Sequence, residues 1–270
     1  MQNQKKSQHH VWILSGTSEG RDIAETFLNK GWSVSVSVVT PKASYSYKDL
    51  KGCYLLIGEI KGYKGVISVL ENHIINEKQI DLIIDATHPF ATRISTYLER
   101  ASNAFDKKLF RFERSSKKSG NSIIIQDLDS LKNIEVSGKR FLLAIGSRFL
   151  PEASEILLKG GAIVFARIFP TNDSLKKAFI SNLPQENIAI FESSNYKENN
   201  LPLEKTLCEY WSIDNVLCRD SGGYSQEVWS QISSSLNINL YLLKRPEYFN
   251  IQCFDNIHDL INKIDSIRFT

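Results

Sequence analysis

Three short strings hold the residue types best suited to chemistry in this chain. Asp85-Ala86-Thr87-His88-Pro89-Phe90-Ala91 follows the apolar run Leu82-Ile83-Ile84 and supplies a hydroxyl, an imidazole, a rigid turn and an aromatic face. Gly16-Thr17-Ser18-Glu19-Gly20 follows Val11-Trp12-Ile13-Leu14 and precedes a helical run from Arg21 to Lys30. There, backbone N–H groups and two hydroxyls converge on a helix start, where the macrodipole favours a phosphate. The third string, Arg219-Asp220-Ser221-Gly222-Gly223, offers donors at Arg219 and Ser221, with paired glycines for close backbone approach. Three roles are open to His88: proton donor, partner of a cofactor phosphate or amide, or helix cap. His88 and Arg219 are the candidates for catalysis. Asp85 is either a ligand group or a cap, and the Gly16 string, which is not a full G-x-G-x-x-G, has a plain N-capped turn as its alternative.

Other residues refine the ligand. A strand over Val34–Val39 ends in Thr40-Pro41-Lys42, with no carboxylate of the kind that holds the ribose of NAD. Thr40 and Lys42 accept a 2′-phosphate better than they repel it, which favours NADPH, with NADH as the alternative; Lys42 as a solvated loop residue is the plainer reading. Arg111, Arg114, Arg148, Arg167 and Arg245 fall near strand ends, where guanidiniums around one cleft can bind carboxylates bidentately; a surface ion pair is the plainer reading of any single one. Tyr47-Lys48-Asp49-Leu50-Lys51 has a Tyr-x-x-x-Lys spacing, discounted because it lies just after the second strand rather than on a later helix. His9-His10 reads as a solvated tail rather than a metal pair, and no metal site is expected. Walker, G-x-S-x-G and H-E-x-x-H motifs do not occur.

Such residues need a frame that brings them to one edge. Strands and helices alternate with short turns, the pattern of parallel sheets flanked by helices, whose ligands lie beyond the carboxyl ends of the strands. Two strand exits in one half, at Gly16 and at Thr87 (the third strand end), point to an extended ligand such as a dinucleotide. Val11–Pro41 reads β-turn-α-β, and so does Phe141–Pro170. Landmarks recur 130 to 133 positions apart, pairing Gly16 with Gly146, Ile80 with Ile213 and Arg114 with Arg245. The expectation is an α/β fold of two Rossmann-like parallel-sheet halves related by internal duplication, with a cleft between them. Residues 1–136 form a nucleotide-binding half and 137–270 a substrate-binding half, joined near Asn133–Gly138, and a terminal helix over Asn256–Phe269 packs on either.

Bulk properties are those of a soluble protein, with 42% hydrophobic and 23% charged residues. A net charge of +3, with scattered basic residues, excludes nucleic acid but suits an anionic small molecule. The four cysteines make no C-x-x-C pair and read as reduced thiols of a cytoplasmic protein. Met1–His10 lacks the apolar core of a signal peptide, and no apolar run approaches the ~18–20 residues that cross a membrane. Oligomeric state is not specified by the sequence.

Together, Ile13–Gly20, Asp85–Ala91 with Ile94-Ser95, Ser221-Gly222-Gly223 with Arg245-Pro246, and Gly146 with Arg148 resemble the precorrin-6A reductase family of corrin biosynthesis, from about residue 11 to 246. The resemblance implies hydride transfer from a reduced nicotinamide to a double bond of a large anionic tetrapyrrole, metal-free or carrying cobalt. It implies cofactor contacts at Gly16, Thr17, Ser18, Glu19, Thr40, Lys42, Thr87, His88, Pro89 and Phe90. Substrate contacts are implied at Arg114, Arg148, Arg167, Ser221, Gly222, Gly223 and Arg245. Three departures stand out: Arg219 where the family usually has lysine, Arg114-Ser115 where it has arginine-proline, and a glycine-rich stretch reduced to Gly58–Gly65. Rival readings are another NAD(P)H oxidoreductase on the same scaffold, and a non-catalytic two-lobed sensor of an anionic metabolite.

Overall fold

A computed structural model of the chain describes residues 9–75, 77–116, 122–192, 203–248 and 250–269. The reading of the polar start therefore lies outside the described residues, save for His9 and His10. Among the described residues no helix is long and apolar enough to cross a membrane.

The chain divides into two compact units, residues 1–115 with 246–270, and residues 116–245. The first contains β1 (His10–Ser15), β2 (Ser33–Val38), β3 (Cys53–Ile57), β4 (Leu82–Ala86) and β5 (Lys108–Phe112). Its helices are α1 (Glu19–Asn29), α2 (Pro41–Ser44), α3 (Gly62–Asn72) and α4 (Thr92–Ala104). The second contains β6 (Ser122–Ile125), β7 (Arg140–Ala144), β8 (Ile163–Ile168), β9 (Ile188–Ile190), β10 (Asn215–Arg219) and β11 (Asn239–Leu243). Its helices are α5 (Leu150–Lys159), α6 (Asn172–Phe179), α7 (Leu203–Tyr210) and α8 (Tyr224–Leu236). The chain then returns to the first unit with β12 (Gln252–Phe254) and α9 (Ile257–Asp265).

Strand periodicity explains the layers. In β1, Val11 and Ile13 point to one face with Ile23 and Phe27 of α1 and Leu260 of α9, while Trp12 and Leu14 point to the other with Val66 of α3 and Leu98 of α4. Both faces are covered, so β1, β2 and β4 are near-continuous apolar or small-residue strands. The second sheet packs Leu142, Val216 and Leu240 against Trp229 and Ile232 of α8.

All strand pairs within both sheets are parallel. The strand orders are β12-β5-β4-β1-β2-β3 and β6-β11-β10-β7-β8-β9. In each, three strands run outward from the first, and the fourth begins the other side. The order reverses between β1 and β4, and again between β7 and β10. Such switch points open the crevice in which α/β proteins bind ligands. The two Rossmann-like halves are thus present and repeat one topology.

Their boundaries differ from the expected 136/137 division. β6 pairs with β11 through Ser122–Ile125 and Leu240–Leu243, so the second unit starts at Ser116 rather than after Asn133–Gly138. β12 pairs with β5, and α9 buries Leu260 and Ile264 in the first unit's core. β5 is therefore followed in the chain by a strand of the second sheet, and β11 by a strand of the first. A short strand at Cys53–Ile57, on the edge and only partly buried, was not expected; Thr87 consequently follows the fourth strand, not the third.

Candidate active site

In the first unit, the turns after β1 and β4 lie side by side at the switch point. The Gly16 amide donates to the Ala86 carbonyl at 3.1 Å, and the Thr17 hydroxyl donates to the same oxygen at 3.3 Å. A Cβ on Gly16 would stand 3.0 Å from the His88 nitrogen and 3.2 Å from the Thr87 Cα, so only glycine permits this approach. Gly20 is equally constrained: its Cβ would meet the Ser15 hydroxyl, which accepts a 2.6 Å bond from the Tyr47 hydroxyl.

A cavity of about 660 Å³ opens here, walled by Ser15–Ser18, Arg21 and Asp22 of α1, Val38–Thr40, and Ser46 with Tyr47. That volume is within the usual range for small-molecule sites. Gly16 and Ser18 are exposed at its rim, and the start of α1 directs its first amides toward it. The donor set fits a diphosphate: backbone N–H groups, hydroxyls at Thr17 and Ser18, and no side chain on Gly16. Ser18 occupies the N-cap position without capping by its side chain; its hydroxyl bonds Glu19 at 3.1 Å instead. Burial pushes the Glu19 carboxyl up, but bonds from Thr17 and its own amide, with the Arg114 charge, outweigh this and hold it below its usual value. Arg114, expected among the substrate residues, lies 3.4 Å from Glu19 at the turn after β1.

At the end of β2 the Thr40 hydroxyl accepts from the Ala43 amide at 3.2 Å, capping α2, and Lys42 is exposed. Arg21 and Tyr47 were not singled out for the ligand from sequence. Arg21 donates to the Ser46 carbonyl at 2.9 Å and pairs with Glu25 at 3.0 Å. Its place directly after Gly20, the last residue of the glycine string, is the available signal.

The turn after β4 is built on a buried ion pair. Asp85 Oδ1 accepts from the Thr87 amide at 3.1 Å and the Thr87 hydroxyl at 2.6 Å, while Oδ2 accepts from Arg111 Nη1 at 2.6 Å. Asp85 is thus a turn anchor rather than a ligand group. Burial works against the Arg111 charge, and Asp85, Tyr248 and Glu113 more than offset it. Pro89 and Phe90 are buried; His88 is partly exposed. His88 Nδ1 accepts the Phe90 amide hydrogen at 3.2 Å, which requires a ring nitrogen without a proton. The neutral ring therefore carries its hydrogen on Nε2, as a donor.

In the second unit, Gly146 follows β7 at φ +82° and accommodates the Arg219 guanidinium, which lies 3.4 Å from where a Cβ would be. Burial pulls Arg219 down to about 10, partly opposed by Cys218, with the Arg148 charge adding to the depression. Two guanidiniums share this edge, and Arg148 is exposed. Beyond them, Gly222 donates to Gln226 at 2.6 Å and Gly223 to the Ser221 hydroxyl at 3.4 Å, setting the start of α8. Two other expected substrate residues are engaged internally. Arg167 is buried 3.7 Å from Glu204 against the rings of Phe169 and Phe191, and Arg245 bonds the Asp220 carbonyl at 3.1 Å and its carboxylate at 3.3 Å.

His10 departs from its expected place in a solvated tail. It is fully buried in β1, with Nε2 2.7 Å from the Ser35 hydroxyl and Nδ1 3.2 Å from the Lys78 carbonyl. Among the described residues, no group of three or more His, Cys, Asp or Glu side chains is placed to hold a metal.

Comparison with known proteins matches residues 10–265 to the family model for precorrin-6x reductase CbiJ/CobK. A cobalt-precorrin-6A reductase of Synechocystis sp. is 29% identical, over 93% of this chain and 94% of that protein. One from Methanococcus maripaludis is 27% identical, over 96% and 100% respectively. The solved structure of CobK precorrin-6A reductase superposes with a TM-score of 0.70 at 18% identity, covering 96% of this chain and 97% of the other, a likeness of fold. A match spanning nearly the whole chain, on a fold of the same two halves, places this protein in the precorrin-6x reductase CbiJ/CobK family.

Proposed function

We propose that this chain reduces one double bond of the precorrin-6A macrocycle, or of its cobalt complex, in cobalamin biosynthesis. The first unit holds a reduced nicotinamide dinucleotide and the second the anionic tetrapyrrole. The observation that carries this reading is the close seating of Gly16 against Thr87 and His88 at the first unit's switch point, beside a cavity of ligand size. When bound, the cofactor supplies the hydride and the protein supplies placement.

The Thr17 and Ser18 amides hold the diphosphate, with no side chain on Gly16 in its way. Arg114 offsets the Glu19 carboxylate beside that turn. His88 Nε2–H, partly exposed, orients a carboxamide or phosphate oxygen as a hydrogen-bond donor; in this tautomer it is not a ready acid. NADPH is favoured over NADH, because the end of β2 offers Thr40 and Lys42 without a carboxylate and Arg21 adds a cation to the cavity wall. Arg148 and Arg219 bind substrate carboxylates, beside the Ser221–Gly223 turn whose own amides are spent on Arg219, Gln226 and Ser221. The free cysteines accord with a cytoplasmic enzyme.

The test is anaerobic oxidation of NADPH, and separately NADH, with purified protein and either precorrin-6A or its cobalt complex. Nucleotide consumption matched by a change in the tetrapyrrole spectrum is the expected result. Tight tetrapyrrole binding without consumption of either nucleotide overturns it in favour of a sensor.

A further inference from the structure

The turn Thr87–Phe90 is held from beneath by contacts that the fold itself does not require. Asp85 and Arg111 face each other on one rung of the first sheet, both fully buried. The rung at the same place in the second sheet is Cys218 against Leu242, so the same topology closes there without charge. Replacing a buried ion pair by packed apolar groups is commonly neutral or stabilising. Stability alone therefore does not account for the pair. Its local effect is specific: one Asp85 oxygen receives Arg111, and the other receives both donors of Thr87. Arg111 also donates to Ser95 at 2.9 Å and to Glu113 at 2.9 Å.

The other end of the turn is tied to the same guanidinium by a different route. Arg111 lies 4.1 Å over the ring of Tyr248, and the Tyr248 hydroxyl donates to the Pro89 carbonyl at 3.2 Å. Tyr248 belongs to the segment by which the chain re-enters the first unit after completing the second at Arg245. It is not part of the cavity wall around Gly16–Tyr47.

From this geometry we infer that Tyr248 is a positioning residue that, through the Pro89 carbonyl, fixes the turn presenting His88 to the nicotinamide end of the cofactor. The inference rests on the cofactor reading above. Because its hold is on one turn only, its loss separates the two ends of the nucleotide.

Tyr248→Phe in the full chain deletes the hydroxyl and keeps the ring on Arg111. Binding of NADPH is compared with binding of 2′,5′-ADP, the adenosine end alone, alongside thermal unfolding. NADPH is expected to bind about tenfold more weakly, the effect of one hydrogen bond, with 2′,5′-ADP changed less than about twofold and the midpoint nearly unmoved. Tyr248→Leu, which also removes the ring, should widen the gap between the two probes. Unchanged NADPH binding in both variants, or equal weakening of both probes with a fall in midpoint, overturns the positioning role. If the unaltered protein binds neither probe, the cofactor reading falls and takes this inference with it.

Discussion

The carboxyl edges of the two sheets share one topology and carry their charge differently. In the first, Arg111 is buried under the turn and spent on Asp85 and Glu113, while the rim sets amides and hydroxyls beside the ion-paired Arg21 and Arg114. In the second, the cations are at the rim: Arg148 is exposed and Arg219 partly so, while Asp220 is taken up by Ser116 at 2.7 Å and by Arg245. An edge with oriented N–H groups suits a diphosphate that needs geometry. An edge that carries the guanidiniums of Arg148 and Arg219 suits a ligand with carboxylates, which each planar fork can bind bidentately. A repeated fold thus places its charge differently at its two carboxyl edges.

The comparison can be broken at the buried pair. Arg111→Leu imports the second unit's residue and leaves Asp85 buried without its cation, which should cost about 3–5 kcal/mol in a denaturant titration. Adding Asp85→Cys completes the neutral rung and should recover most of that stability but not NADPH affinity. If affinity returns as well, the two edges do not differ as argued.

At the rim, Gly16→Asp places a Cβ 3.0 Å from the His88 nitrogen and a carboxylate at the diphosphate turn. NADPH affinity should fall by about a hundredfold or more while tetrapyrrole binding, read by its absorbance, is retained. The opposite ends of the strands give a test by pH. Burial lowers the His10 pKa to about 4, opposed by the Lys78 carbonyl, with His73 adding and Asp81 opposing. Unfolded, the ring ionises near 6.5, so its stabilising neutrality is complete above that pH and is lost as pH falls toward 4. The equivalent position in the second unit is Arg140, which donates to the Trp211 carbonyl at 2.5 Å, so no histidine stands there. Calorimetry from neutral pH to 4.5 should therefore show the first unit's transition falling roughly 5 °C further than the second's. The smallest effect is expected from Arg219→Lys: charge is kept and the planar fork lost, so KM for tetrapyrrole should rise about threefold with NADPH affinity unchanged.

The two strand-to-helix turns were legible in the sequence because their signals are local: Gly16–Gly20 and Asp85–Ala91 each follow an apolar strand and open a helix. The repeat at 130–133 residues likewise reflects real equivalence of β1 with β7 and β4 with β10. What escaped was non-local. The fate of Arg111 depends on a carboxylate 26 positions away, Tyr248 meets its partner across 159 positions, and His10 is buried by Ser35 and Lys78. Membership of β6 and β12 in the other unit's sheet is decided by pairing partners more than 100 residues distant, which no window of composition records.

That exchange of final strands has a consequence for biosynthesis. The second unit is one continuous stretch, so it has every strand of its sheet once residue 245 has left the ribosome. The first unit, though begun earlier, lacks β12 and α9 until residues 252–265 have emerged. The later-encoded half can finish folding before the earlier one, and Tyr248 reaches the turn after β4 only once the second unit has been made.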